Sequence, residues 1–307
     1  MAKKSTTKRS TNDHELVKLS VSGEIIPAVW PQVRQYRTGG DGVMRVLPGT
    51  GGICYSHQIG DSAYAIQGDH VEPGVTIKHP NRDFNASLNV LSCIGNDAAV
   101  ISGAAKGAKG TVCGTHGGVE HVIIDFPEGT LKKLCIGDKI QICAHGCGLA
   151  FQHDTDVQML SCDPRLLSKW GIIWRGSKLH VPVTHRVPAQ VMGSGLGQPS
   201  SHHGDYDIQL FDKQIVADYD LASLRFGDLV AIIDADHSYG RRYLGGAVSV
   251  GVIVHSRSDV SGHGPGVTTL LTSRSGAIIP KLDPKANLGQ LLKIGRWRRQ
   301  TKASSRR

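Results

Sequence analysis

The chain is poor in several features that would have assigned it quickly. Among its 307 residues there is no run of about 18 apolar residues, so no membrane-spanning helix is expected. The basic N-terminus is not followed by an apolar segment and does not read as a secretory signal. The seven cysteines (Cys54, Cys93, Cys113, Cys135, Cys143, Cys147, Cys162) contain no Cys-x-x-Cys pair. Their odd number points to reduced thiols in a cytoplasmic protein rather than to a disulfide framework or a zinc knuckle. Aromatic residues make up 5% of the chain, too few for a base-stacking platform. GSGLG at 193–197 lacks the Gly-x-Ser-x-Gly pattern of a serine nucleophile. The lysines of GAAKGAKGT at 103–111 are not placed as a phosphate loop requires, with Gly-Lys followed by Ser or Thr.

What is abundant is glycine, with 38 residues, about twice the usual share. Together with many Val and Ile it predicts short strands and tight turns, a mainly β fold of barrel or sandwich modules with a few short helices. Strands are expected near 15–30, 88–101, 119–126, 139–144, 208–211, 228–234, 246–255 and 266–272, and helical turns near 129–135, 164–169 and 219–225. LKKLCIGDKIQICA at 131–144 aligns with LASLRFGDLVAIID at 221–234, which implies two related modules. The expected division is a basic tail at 1–13, an N-terminal β module at 14–160, a C-terminal β module at 161–295 and a second basic tail at 296–307. The net charge of +9 resides in those tails. Residues 1–10 carry four positive residues (Lys3, Lys4, Lys8, Arg9) and residues 296–307 six (Arg296, Arg298, Arg299, Lys302, Arg306, Arg307), neither stretch with an acid, which leaves the body between them at −1. Disordered, solubilising arms are expected, able to make weak nucleic-acid contacts without defining the function.

GDSAYAIQGDHVEPGVTI at 60–77 holds the densest chemistry. On an extended backbone His70 and Glu72 share a face, and Asp69 points away. A His and a carboxylate so placed suit a shared divalent ion, or a base and its orienting partner. Further polar residues gather at strand ends and Gly/Pro turns: His116, Asp205 with Asp207, Asp234 with Asp236, His255 and His263. In a strand Glu120 and His121 face opposite ways, so His116 on the Gly-Gly loop is the better candidate. The expected metal ligands are His70, His116, Asp207, Asp236 and His263. Glu72 and Asp69 are expected to move protons, Lys106 to hold an oxyanion, and Arg45, Gly117 and Gly118 to bind substrate.

Two resemblances follow from these motifs. GDG at 40–42, GTGGICYS at 49–56, GDHVEPGV at 68–75, AKGAKGTVCGTHGGVEH at 105–121, RVPAQVMGSGLG at 186–197, YDIQL at 206–210 and GHGPGV at 262–267 together resemble an uncharacterised prokaryotic domain-of-unknown-function family. That resemblance spans nearly the whole chain and implies a compact multi-module β protein. A second, local one is to the acetamidase/formamidase family, in which two Gly-Asp pairs flank an alanine-containing strand in the active-site region of a metal-associated amide hydrolase. Here His70 stands where that family usually has glycine, and Glu72 is shifted one place along. The expected function is therefore hydrolysis of a small linear or cyclic amide at a divalent ion, zinc or manganese, in a cytoplasmic homo-oligomer. The competing expectation is a non-enzymatic binding protein whose basic tails hold RNA or another anionic partner.

Overall fold

The computed structural model describes residues 10–29, 36–153 and 155–298. The N-terminal half is built on strands β1 (Leu19–Ile25), β2 (Ile53–Cys54), β3 (Gly74–Lys78), β4 (Asp97–Val100), β5 (Lys109–His116), β6 (His121–Asp125) and β7 (Lys139–Ala144). Six of them close a ring of antiparallel pairs in the order β1-β7-β4-β5-β6-β3, and β3 returns to β1. β2 adds to the outside of β3. Closure removes the sheet edges. Ile140, Ile142 and Ala144 alternate inward along β7 with exposed Lys139, Gln141 and Cys143. The barrel interior holds Ile25, Val75, Ile77, Val122 and Ile124, each 0–1% exposed. Full burial of each such side chain contributes roughly 1.5–3 kcal/mol.

The C-terminal half comprises β8 (Gln158–Met159), β9 (Ile173–Arg175), β10 (Lys178–Val183), β11 (His185–Pro188), β12 (Leu229–Asp236), β13 (Arg242–Ile253), β14 (Val267–Ser273) and β15 (Ile278–Leu282). They form a five-stranded sheet, β8-β14-β13-β12-β11, and a three-stranded one, β9-β10-β15. The fold is thus mainly β with few short helices.

The aligned segments make the same corner. The Gly137 N–H donates to the Ile25 carbonyl (2.8 Å) and the Ile25 N–H to Asp138. In the second copy the Gly227 N–H donates to Ile253 (2.8 Å) and the Ile253 N–H to Asp228. Each aspartate accepts the N–H three residues back, from Cys135 and from Arg225, both at 2.9 Å.

Some expectations need correction. Of the strand expected near 88–101 only β4 (Asp97–Val100) forms; its start, Leu88–Leu91, instead ends helix α1 (Arg82–Leu91), which Asn81 caps by accepting the Asp83 and Phe84 N–H groups. The inward face of α1 includes Asn85 and Asn89, so its hydrophobic period is masked. Residues 208–211 form only an isolated bridge, Ile208 with Met192. Strands β9 to β11 escape the sequence pattern because Gly176, Pro182 and Pro188 interrupt it.

Both tails are shorter than composition suggests. Asn12 bonds Ala150 and Gly148. Arg296 grips Asp61 through two bonds of 2.6 and 2.8 Å, and the Trp297 ring packs where Gly60 and Gly289 have no side chain. Arg298 reaches buried Asp125. Lys3, Lys4, Lys8, Arg9, Arg299, Lys302, Arg306 and Arg307, and the nucleic-acid contact expected of them, lie outside the described residues.

Burial pushes the Asp125 carboxyl up to about 6, against the opposing influence of Arg298 and the Gly295 N–H. The native chain therefore holds that proton more tightly than the unfolded chain, whose carboxyl titrates at its ordinary value of 3.8. Asp125 thus favours the native state at low pH, and this contribution is lost as pH rises through about 6. Relative to wild type, Asp125→Asn is expected to gain roughly 2 to 3 kcal/mol between pH 4 and pH 7 in denaturant titrations. An unchanged difference between the two proteins at both pH values would contradict this.

Candidate metal centre

Four segments converge where the barrel meets the second module. The first, Asp69–Glu72, enters β3. It is not extended: His70 has φ +56°, its N–H donates to Arg257 and its carbonyl accepts from Thr50. This kink puts Asp69 beside His70, with Asp69 Oδ1 3.0 Å from His70 Nδ1, so the expected opposition of those two side chains does not hold. Ser258 donates to the same carboxylate, and Arg37 pairs with it.

The second segment is the β5–β6 hairpin. His116 and His121 are cross-strand partners at its end. The turn between them carries positive φ at Gly118 and Glu120, and the Glu120 carbonyl accepts from both Asn85 and Asn89 of α1 at 3.1 Å. Helix α1 thereby fixes the hairpin end. Both imidazoles reach Glu72: His116 Nδ1 makes a short bond to Oε1, and His121 Nδ1 lies 3.0 Å from it. The Gly51 N–H (2.9 Å) and the Thr76 hydroxyl complete the donors to this carboxylate. Burial pushes Glu72 up, but His121 and His116 outweigh it and hold its pKa well below the usual range. A carboxylate that only accepts places the proton of each ring on Nδ1, which leaves His116 Nε2 with a free lone pair.

The third segment, Asp205–Ile208, is held between Gly193–Ser194 on one side and Pro265–Val267 on the other. The fourth comprises His255, just past β13, and His263 in the loop before β14. Gly266 is required here, because a β-carbon on it would collide with the Asp205 carboxylate and the His255 ring. His255 donates Nδ1–H to the Ser256 carbonyl (2.9 Å) and turns Nε2 to Asp205 (2.5 Å) and Asp207 Oδ1 (3.5 Å).

Asp207 is shared. Its Oδ2 lies 3.1 Å from His263 Nδ1 and 3.6 Å from His70 Nε2, and those two nitrogens are 3.1 Å apart. Ligand atoms on a tetrahedral ion with bonds of about 2.1 Å are separated by roughly 3.4 Å, so this triangle has the size of a metal site. A second group, His255 with Asp205 and Asp207, adjoins it, and His116 clusters with His70 and His255. The Nδ1 atoms of His70, His116 and His255 each have an acceptor (Asp69, Glu72 and the Ser256 carbonyl), the arrangement that orients metal-binding histidines. Burial pushes His70 and His116 down, toward the neutral form a ligand needs. Burial also opposes charge on His255, but Asp205 and Asp207 prevail and raise it well above its ordinary value.

A cleft of about 400 Å³ opens onto this centre, and His70, His116, Asp205, Asp207 and His263 form its floor. Gly117 and Gly118 lie on its wall. The expected residues thus divide. His70, His116, Asp207, His263, Gly117 and Gly118 come together at the cleft. Glu72 and Asp69 stand behind it, bound to imidazoles, and are not placed for proton transfer to a substrate. Asp236 is buried at the end of β12 and pairs with Arg242 (2.8 Å) and Arg274 (3.5 Å). Lys106 lines a separate surface depression with Pro127 and Lys133. Arg45 is engaged by Asp41 (2.6 Å) and Asp259 (3.2 Å). Cys113 is buried in the barrel, and burial raises its thiol well above the ordinary value, which makes it a poor nucleophile.

Sequence reasoning missed His121, because strand alternation was applied without the hairpin that sets it opposite His116. It also left out Asp205 and His255, although both stood among the polar strand ends. Glu72→Gln removes the charge and replaces one of the two acceptor oxygens by an NH2 donor in a site where all four partners are donors. It is expected to weaken metal binding by roughly 10- to 100-fold without exposing a titratable group in the cleft, as read by competition with a chelator of known affinity. Unchanged affinity would contradict the orienting role.

Two family models tile the chain. The N-terminal model of the domain of unknown function DUF4438 matches residues 36–168, and the C-terminal one residues 169–292. The crystal structure of TM1086 superposes with a TM-score of 0.87 at 46% identity, covering 92% of this chain and 98% of that one. A search of curated proteins gives no match.

Proposed function

The chain belongs to the DUF4438 family, and from the centre just described we propose that it is a divalent-metal hydrolase of small amides. One observation carries the proposal: His70 Nε2, His263 Nδ1 and Asp207 Oδ2 lie 3.1 to 3.6 Å from one another on the floor of a cleft. Imidazole and carboxylate donors of this kind suit zinc or manganese. A bound ion of this type lowers the pKa of water and polarises a carbonyl, which is the chemistry amide hydrolysis requires.

The protein groups have separate tasks. Asp69 and Glu72 orient His70 and His116, and Arg37 and Ser258 hold Asp69 in turn. Asp205 lines the cleft and is held by His255 at 2.5 Å, so its carboxylate is placed to take a proton from water and return it to the leaving amine. Gly117 N–H fixes the other Asp205 oxygen at 2.7 Å. The amide class rests on the local likeness of 60–77 to the acetamidase/formamidase segment and on the size of the cleft, which suits a small molecule.

Purified protein reconstituted with zinc or manganese is expected to retain one or two ions per chain and to cleave members of a panel of small linear and cyclic amides. Asp207→Asn should lower both retention and turnover by at least roughly a hundredfold, and chelation should abolish turnover until the ion is returned. Stoichiometric metal without cleavage of any amide would retire the hydrolase assignment. Absence of metal uptake would retire the centre itself.

A further inference from the structure

We infer that Arg241 is an anion-binding subsite beside the centre, and that the substrate is an amide carrying a carboxylate. The position of the amide rests on the metal-hydrolase reading; the anion site itself stands on the following observations. Arg241 lines the same cleft as His70, Asp205, Asp207 and His263. It is 3% exposed, and its guanidinium remains charged in proteins. Among the described residues no carboxylate comes within ion-pair distance of it. Among the described residues its one side-chain hydrogen bond runs from Nη2 to the His203 carbonyl at 3.0 Å, and buried Nε has no partner there. Buried cations are normally paired, because an unpaired one keeps its desolvation cost without recompense.

The cleft of about 400 Å³ that Arg241 lines leaves room for a ligand. Side chains on Gly195 and Gly204 would begin 3.5 Å from Nη1 and 3.8 Å from Nη2, so glycine backbone alone faces the guanidinium there. The nearest acids are committed elsewhere. Asp205 binds the Gly117 N–H and His255, Asp207 faces His70, His255 and His263, and Glu120, the third acid lining the cleft, pairs with His203 at 3.4 Å. One divalent ion would neutralise Asp205 and Asp207, and Arg241 would then be the cation left without a counter-charge. A ligand carboxylate supplies both that charge and acceptors for the unused N–H groups. The ion and Arg241 border one cleft, so a small molecule can place its amide at one and its carboxylate at the other. Arg37, the other arginine in the cleft, is already paired with Asp69 and is a poorer candidate.

N-acetylglycine and N-acetylglycinamide test this, since they differ chiefly in the terminal charge. Their binding is measured by calorimetry on the full-length chain, with zinc and after chelator treatment. Zinc-loaded wild type is expected to bind N-acetylglycine at least tenfold more tightly than the amide, a preference that Arg241→Gln removes and Arg241→Lys partly keeps. Equal affinities in wild type overturn the inference without any variant. A preference that persists in folded Arg241→Gln also overturns it, because the carboxylate is then binding the ion directly. If zinc fails to bind but the Arg241-dependent preference remains after chelation, the anion site stands and the metal reading falls.

Discussion

Glu72 is a carboxylate buried in the protein and surrounded by donors: two imidazole N–H groups, the Gly51 amide and the Thr76 hydroxyl. A buried charge is tolerated only when its lone pairs are filled, and here the barrel supplies three of the four donors and the loop before β2 supplies the Gly51 amide. The acceptor-only chemistry of the group then dictates the rest. It fixes the proton of His116 on Nδ1, leaves Nε2 for ligation, and ties the end of the β5–β6 hairpin to the loop entering β3. Asp69 does the same for His70, and the Ser256 carbonyl for His255. Three rings from three segments therefore present the same nitrogen toward one place.

The geometry explains why a barrel and a second module are joined at this seam. The barrel contributes His70, His116 and the carboxylates behind them, and the C-terminal half contributes Asp205, Asp207, His255 and His263. The triangle of His70, Asp207 and His263 takes members from both halves. The seam is held by backbone and side-chain bonds next to the centre, including His70 N–H to the Arg257 carbonyl and the Thr115–Thr268 pair. A purely structural polar cluster would satisfy its members internally. Here His263 and the free face of Asp207 open onto a cleft, and the arginine across from them has no ion-pair partner among the described residues.

Much of this was legible in the residues. Glycine-rich composition and the aligned 131–144 and 221–234 segments announced a β fold with a repeated corner, and the corner recurs down to its hydrogen bonds. Polar residues at strand ends pointed to His70, His116, Asp207 and His263. The failures have physical causes. Strand alternation assumes an extended backbone, but His70 lies in the left-handed region, which turned Asp69 toward the imidazole. The same rule excluded His121, because register across a hairpin decides which residues meet and a single strand does not show it. Asp236 looked like a ligand until Arg242 and Arg274, distant in sequence by 6 and 38 positions, were seen to hold it. Charge counting placed Arg296 and Arg298 in a tail, yet their aspartates lie far back in the chain, at 61 and 125.

The central claim is that an ion sits between His70, His263 and Asp207. Crystals of the zinc-loaded protein, measured on both sides of the zinc absorption edge, test it directly. The account predicts an anomalous peak within about 2.3 Å of His70 Nε2, His263 Nδ1 and Asp207 Oδ2, absent after chelation. An empty triangle at full zinc loading, with zinc bound elsewhere or nowhere, would contradict it.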